Sequence, residues 1–261
     1  MRYCNGWPVS VCSWSFQKSI QEVADAMNAL DIGYINLALL PALQPDGGDY
    51  LEFIRKQKWT ISSTMINFPS EDYTTLETIK KTGGLAPDEA WEENEKLALG
   101  AIRLTAELKA EYLLMHFGFI DHSVPGYVQK FYDRTRTLAD AAQKEGVKFL
   151  METGQESAEE LKHFLDEMNH PALCVNFDPA NMILYNKGVP TEAIKVLAPR
   201  IRHIHIKDAN RTETPGTWGT EVPWGEGQVN AHLFLNTLKE IGYRGAVAIE
   251  REAGDDRFGD I

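Results

Sequence analysis

Cysteine is scarce in this chain, and what there is does not pair. Cys4, Cys12 and Cys174 are an odd number with no CxxC spacing in 261 residues, which argues against a disulfide framework and a zinc knuckle. Positive charge is in deficit: 26 lysines and arginines face 38 aspartates and glutamates, a formal net charge of -12. Affinity for phosphate backbones or anionic lipid requires clustered Lys and Arg, so neither nucleic acid nor a membrane surface is an expected partner. Long apolar runs are missing too. The N-terminal "MRYCNGWPVSVCSW" lacks the hydrophobic stretch of a signal peptide, and no segment approaches the length that spans a bilayer. The expectation is a cytoplasmic protein acting on a small molecule, with 43% hydrophobic residues to build an ordinary core.

What is present is a rhythm. Short apolar runs predict eight buried strands: residues 9–14, 34–37, 60–65, 112–116, 147–152, 173–178, 201–207 and 246–250. Helical period and start signals fill the intervals. Ser19 with Glu22, and Ser157 with Glu160, form capping boxes, while Asn230 caps a helix that Gly242 ends. Strand and helix alternating eight times predict an α/β fold, a (β/α)8 TIM barrel spanning residues 1–261 as one domain. Only eleven residues follow Glu250, so the eighth helix is expected to be short, leaving the wall there thin or covered by a second subunit. Two long connections, 66–87 and 208–229, are expected to be binding loops.

Polar residues collect at the strand ends. Glu152 ends "KFLME", Asp178 ends "CVNFD", His205 lies near the end of "RHIHIK", and Glu250 ends "AVAIE". In a barrel that is the catalytic face, and residues at inward positions converge on the axis. Three converging carboxylates repel one another unless a cation lies between them. A divalent metal resolves the conflict, and three carboxylates with one imidazole make a hard, oxygen-rich set suited to Mn2+, Mg2+ or Co2+, with Zn2+ also compatible. The plainer alternative is that each acidic strand end only caps the helix that follows.

"LMETGQES", "NFDPANMILY", "IRHIHIKDANR" and "YRGAVAIERE" together resemble the sugar-phosphate isomerase/epimerase family of xylose isomerase-like TIM barrels. That family includes ketose 3-epimerases, hydroxypyruvate isomerases and inosose dehydratases, with endonuclease IV more distant. The resemblance implies that Glu152, Asp178, His205 and Glu250 hold one divalent metal. It further implies that Arg211 contacts substrate oxygens, that His116 of "HFG" lines the pocket, and that the protein is a dimer or tetramer. The expected activity is metal-dependent isomerisation or epimerisation of a sugar or sugar phosphate, with Glu152 and Glu250 exchanging a proton through a cis-enediolate. Two departures stand out: Asn181 and Ala158 occupy positions where ketose 3-epimerases carry histidine and glutamate. They keep open a lyase or dehydratase acting on a keto-inositol or 3-keto-sugar, and outside enzymes a non-catalytic sugar-binding barrel.

Other residues carry smaller expectations. His203 is read as a hydrogen-bonded core histidine. Lys207 is read at the rim, holding a substrate hydroxyl or phosphate or else paired with Asp208. Glu252 is read as a spectator. Trp14, Phe16, Trp218 and Trp224 are candidates for an aromatic wall against a sugar ring. "GEGQ" at 225–228 has too few glycines for a phosphate loop. His122, His163, His170 and His232 are read as surface residues.

Overall fold

The computed structural model describes residues 1–121 and 125–261. Its centre is a closed barrel of eight parallel strands, each within a residue or two of the predicted runs: β1 (Trp7–Cys12), β2 (Tyr34–Ala38), β3 (Thr60–Ile66), β4 (Tyr112–Met115), β5 (Lys148–Glu152), β6 (Leu173–Phe177), β7 (Ile201–Ile206) and β8 (Val247–Ile249). Each strand pairs with its sequence neighbours, and β8 pairs with β1 to close the ring. A two-residue strand, Tyr3–Cys4, adds antiparallel to the start of β1.

Residue parity decides what faces where. Phe149, Met151, Val175 and Phe177 belong to the large core between strands and helices, whereas Leu150, Cys174 and Leu114 form a separate cluster within the barrel. Continuing that inward parity brings up Glu152, then Asn176 and Asp178, then His203, His205 and Lys207, then Glu250. The sheet register sets these side by side: Glu152 opposite Asn176, Asn176 opposite His203, and His205 opposite Ala248. A bulge in β7 skips Arg202, which is what brings His203 level with Asn176.

The helices include α1 (Ile20–Ala29), α2 (Gly48–Arg55), α3 (Leu76–Thr82), α4 (Trp91–Glu107), α5 (Pro125–Lys144), α6 (Ala158–Met168), α7 (Pro179–Leu184), α8 (Pro190–Leu197), α9 (Ala231–Glu240) and α10 (Arg257–Asp260). Ser19 and Ser157 make the expected capping boxes, and Asn230 caps α9 from a left-handed conformation. The eighth helix, α10, is four residues long, as the short C-terminal sequence predicted. Among the described residues, no helix is long and apolar enough to cross a membrane.

Both long connections have structure of their own. The first contains α3, and the second folds Asp208–Asn210 against Thr220–Val222 as an antiparallel ribbon. Asp208 organises the turn that follows: its carboxylate accepts hydrogen bonds from the amides of Ala209, Gly225, Gly227 and Val229. Gly225 has φ of +94°, and a Cβ on Gly227 would lie 2.2 Å from Asp208 Oδ1, so both positions require glycine. Asp208 is therefore not the partner of Lys207. His170 is not a surface residue: it is 5% exposed, accepts from the Ala172 amide and lies 3.2 Å from Asp140. His163 and His232 are exposed, and His122 lies outside the described residues.

Candidate metal centre and substrate cavity

A cavity of about 650 Å3 opens at the C-terminal end of the barrel, with Glu152, Glu250 and Lys207 in its floor. The two long connections wall it, contributing Glu71 and Tyr73 from one side and Trp218 and Glu221 from the other, and Trp218 Nε1 donates to Tyr73 O where they meet. A second cavity of about 550 Å3 lies at the opposite end, around Tyr34, Tyr112 and Tyr243. No carboxylate lines that one, among the described residues.

Just beneath the cavity floor, His205 Nδ1 lies 3.2 Å from Glu152 Oε1, 3.3 Å from Glu250 Oε2 and 3.8 Å from Asp178 Oδ2. One ligand atom from each of the four residues fits within a span of 4.8 Å. Around an ion with bonds of about 2.1 Å, neighbouring ligands are separated by about 3 Å and opposite ones by about 4.2 Å, so these separations are those of a coordination polyhedron. Asp178 and His205 are fully buried, and Asp178 Oδ2 and His205 Nδ1 have no hydrogen-bond partner. Such orphaned atoms are costly unless something they bind lies between them. The residues fit a divalent cation.

The surroundings orient each donor. Asp178 caps α7 through Oδ1, which accepts from the Ala180 and Asn181 amides, leaving Oδ2 free; helix capping and metal ligation thus use different oxygens of one carboxylate. Glu152 Oε1 accepts from Asn176 Nδ2 at 3.1 Å. Glu250 accepts from Trp14 Nε1 at 3.0 Å and from Lys207 at 2.9 Å. On the far side of the imidazole, Asn36 lies 3.0 Å and Cys12 Sγ 3.6 Å from His205 Nε2. With its amide turned over, Asn36 presents its otherwise unpartnered Oδ1 to Nε2–H, which directs the Nδ1 lone pair toward the carboxylates. Burial pushes the Cys12 thiol up to about 12, so sulfur stays protonated beside the ring instead of joining the ligands.

The two glutamates differ. Burial holds the Glu152 carboxyl above the usual range. Glu250 is equally enclosed, but Lys207 and His205 outweigh burial and hold it well below that range. Lys207 is no rim lysine: it is 3% exposed, bonds Glu250 and Glu252, and lies 3.8 Å from Asp178. The carboxylates accordingly meet one internal cation that the sequence reading placed elsewhere, and Glu252 is its third partner, not a spectator.

Trp14, Lys207 and His116 line the cavity, whereas Arg211 does not. The Arg211 guanidinium is exposed and bonded to Asn186 Oδ1 and Gly188 O. Trp218 joins Trp14 on the wall, but Phe16 is buried in the core and Trp224 packs on Phe234. Tyr73, Tyr185, Glu71 and Gln155 also line it; all four lie in turns and loops where no period marks a facing direction.

Comparison with known proteins agrees with this architecture. The chain matches the family model "xylose isomerase-like TIM barrel" over residues 49–260. A xylose isomerase domain protein from Planctomyces limnophilus superposes with a TM-score of 0.88 at 30% identity, covering 97% of this chain and 93% of that one. A xylose isomerase-like TIM barrel protein from Mycobacterium smegmatis, solved in complex with magnesium, gives 0.74 at 18% identity, with 100% and 94% covered. A putative L-ribulose-5-phosphate 3-epimerase from Haemophilus influenzae is 31% identical over 132 residues, 50% of this chain and 46% of that protein. The chain thus spans about half the length of that curated relative. It belongs to the xylose isomerase-like TIM barrel family.

Proposed function

We propose that this protein is a divalent-metal-dependent sugar isomerase or epimerase in which Glu152 and Glu250 exchange a proton with the substrate. The observation that carries the reading is the pair of orphaned, fully buried donors, Asp178 Oδ2 and His205 Nδ1, just beneath the two glutamates that line the floor of a sugar-sized cavity. Glu152, Asp178, His205 and Glu250 would hold the ion, with Mn2+, Mg2+ or Co2+ favoured by the oxygen-rich set and Zn2+ also compatible. When bound, it supplies Lewis acidity that polarises a carbonyl and acidifies the neighbouring C–H. The magnesium-bound family member from Mycobacterium smegmatis supports a site of this kind.

The chain's own groups divide the proton work. Glu152 and Glu250 come from non-adjacent strands and flank the substrate, so that one accepts its proton and the other returns one to the opposite side of the enediolate. Return to the same carbon epimerises it; return to the neighbour interconverts aldose and ketose. Trp14 fixes Glu250 and Asn176 fixes Glu152, so both carboxylates meet the substrate from set directions. Solvent deuterium exchange into a panel of aldoses and ketoses tests the shared step: exchange that requires metal and both glutamates is expected, and metal-loaded protein that exchanges no sugar would refute it.

A second reading is elimination of a hydroxyl from a keto-inositol or 3-keto-sugar. Asn181 keeps it open, because it lines the cavity where ketose 3-epimerases carry a histidine, and its amide oxygen accepts from Lys207 Nζ at 3.5 Å. Accumulation of an ultraviolet-absorbing unsaturated ketone would mark that outcome.

A further inference from the structure

We infer that the substrate of this site is an unphosphorylated polyhydroxy compound, because the chain's own carboxylates already fill the backbone-amide cradles where a barrel of this kind would seat a phosphate. The inference rests on the isomerase reading above and narrows it. In TIM barrels, phosphate is commonly received by amides of the loops after the seventh and eighth strands. After β7, the amides of Gly225, Gly227 and Val229 converge on an anion, and that anion is Asp208, 1% exposed. After β8, the amides of Glu252 and Ala253 converge likewise, and both donate to Glu221. Neither loop has those amides left for a ligand.

Side-chain cations give the same answer. Lys207 is the only lysine or arginine lining the cavity among the described residues, and Glu250 and Glu252 hold it. Arg251 is turned to Glu221 and Asp260. A phosphate dianion would enter among Glu71, Glu221 and Glu252 with no free counter-charge.

The wall facing the metal centre instead offers groups that suit hydroxyls. Both ring nitrogens of His116 are buried without a hydrogen-bond partner, the side chain being 10% exposed. In either tautomer a neutral imidazole presents one donor and one acceptor, the complement of a hydroxyl group; phosphate oxygens only accept. Glu71 stands 3.5 Å from His116 Nδ1, held by the amides of Phe68 and Gly84, and adds a further acceptor. Gln155 Nε2, also buried and unpartnered, supplies a donor on the same lining.

Two measurements on the manganese-loaded protein test this. The first is solvent deuterium exchange into the four ketopentoses and their 5-phosphates. At least one free sugar should exchange with kcat/KM about 100-fold or more above its phosphate, as like-charge exclusion and an unpaired dianion require. A phosphate ester exchanging as well or better overturns the inference. The second is calorimetric titration with xylitol, xylitol 5-phosphate and inorganic phosphate, which needs no turnover. Xylitol should bind at least about tenfold more tightly than its phosphate, and His116→Leu should weaken xylitol binding. Tighter binding of the ester, or no binding of xylitol, overturns the inference. Should no sugar exchange while xylitol binds and its phosphate does not, the isomerase reading fails and the selectivity stands.

Discussion

His203 and His205 sit two residues apart on β7, both inside the barrel and both buried, yet they are opposite kinds of histidine. His203 spends both ring nitrogens: Nδ1 donates to Asn176 Oδ1 at 2.7 Å, which leaves Nε2 to accept from Ser62 Oγ at 3.1 Å. Burial then lowers its pKa well below the ordinary value and keeps it neutral. His205 has one nitrogen facing Asn36 and Cys12, and the other facing three carboxylates with nothing between. Burial also opposes its protonation, but the Cys12 sulfur and the Glu250 and Glu152 carboxylates outweigh burial and raise its pKa well above the ordinary value. Depth in the barrel does not separate the two rings. Whether the neighbours are neutral amides and hydroxyls or carboxylates does.

The largest way to test that contrast is to remove a ligand. His205→Asn and Asp178→Asn should each abolish stoichiometric manganese binding and lower turnover by about 1000-fold or more, since a polyhedron missing a side-chain donor no longer orients the substrate. In chelator the Asp178→Asn protein should melt close to the parent, because the Asn side-chain oxygen keeps the α7 cap. A sharp drop in melting temperature under chelation would mean that the carboxylate is structural.

His203→Leu should behave oppositely. It leaves Asn176 Oδ1 without its partner in the barrel interior, while Ser62 Oγ keeps Ser10 Oγ and Ile35 O, so a loss of about 2 kcal/mol in chemical denaturation is expected. Asn176 also holds Glu152, so turnover should fall roughly tenfold with metal stoichiometry unchanged. Loss of metal together with stability would erase the distinction between the two residues.

Much of this was legible in the sequence because a barrel turns period into position. Alternation put Glu152, Asp178, His205 and Glu250 on inward, C-terminal positions of consecutive strands, and the fold left them only the axis to point at. Lys207 obeys the same parity and ends the predicted run 201–207; a lysine at a strand end is ordinarily solvated, and it is the carboxylates of Glu250 and Glu252, on another strand and loop, that hold it inside. What period could not reach lies outside the regular elements. Glu71, Tyr73 and Gln155 face the cavity because of loop paths, and Arg211 turns toward Asn186 and Gly188 because the ribbon at 208–210 rotates it away. His170 reads as polar and exposed in "EMNHP", yet a backbone amide and Asp140 make its burial affordable.

A third buried group lies between the two histidines in character. Glu156 accepts the Ile120 amide but has burial against it, and its pKa is pushed up to about 7. A carboxyl whose folded pKa is raised favours the folded state fully below its unfolded value of 4.5, and that contribution is lost as pH rises through about 7. Glu156→Gln keeps an oxygen for the Ile120 amide and removes the charge. It should therefore stabilise the protein by about 2 kcal/mol at pH 8, and the gain should shrink toward zero at pH 5. An equal effect at both pH values would place its origin in packing.

The smallest effect is the most discriminating between His203 and His205. A metal ion bound through His205 Nδ1 must displace the proton that the carboxylates hold there, so manganese affinity should fall about tenfold for each pH unit below the raised folded pKa. The linked sign for metal-free protein is the reverse of Glu250's. The His205 contribution to stability is fully present below about pH 6.5 and is lost as pH rises through the folded value, whereas the Glu250 contribution is present above its ordinary range and lost on acidification through its depressed value. Chelated protein should consequently gain stability on mild acidification from pH 8 toward 6, while manganese-saturated protein should lose it. His203→Leu should preserve both slopes, because that ring is neutral throughout. Should His203→Leu flatten the pH dependence of manganese affinity while His205→Asn leaves it intact, the roles of the two residues would have to be exchanged.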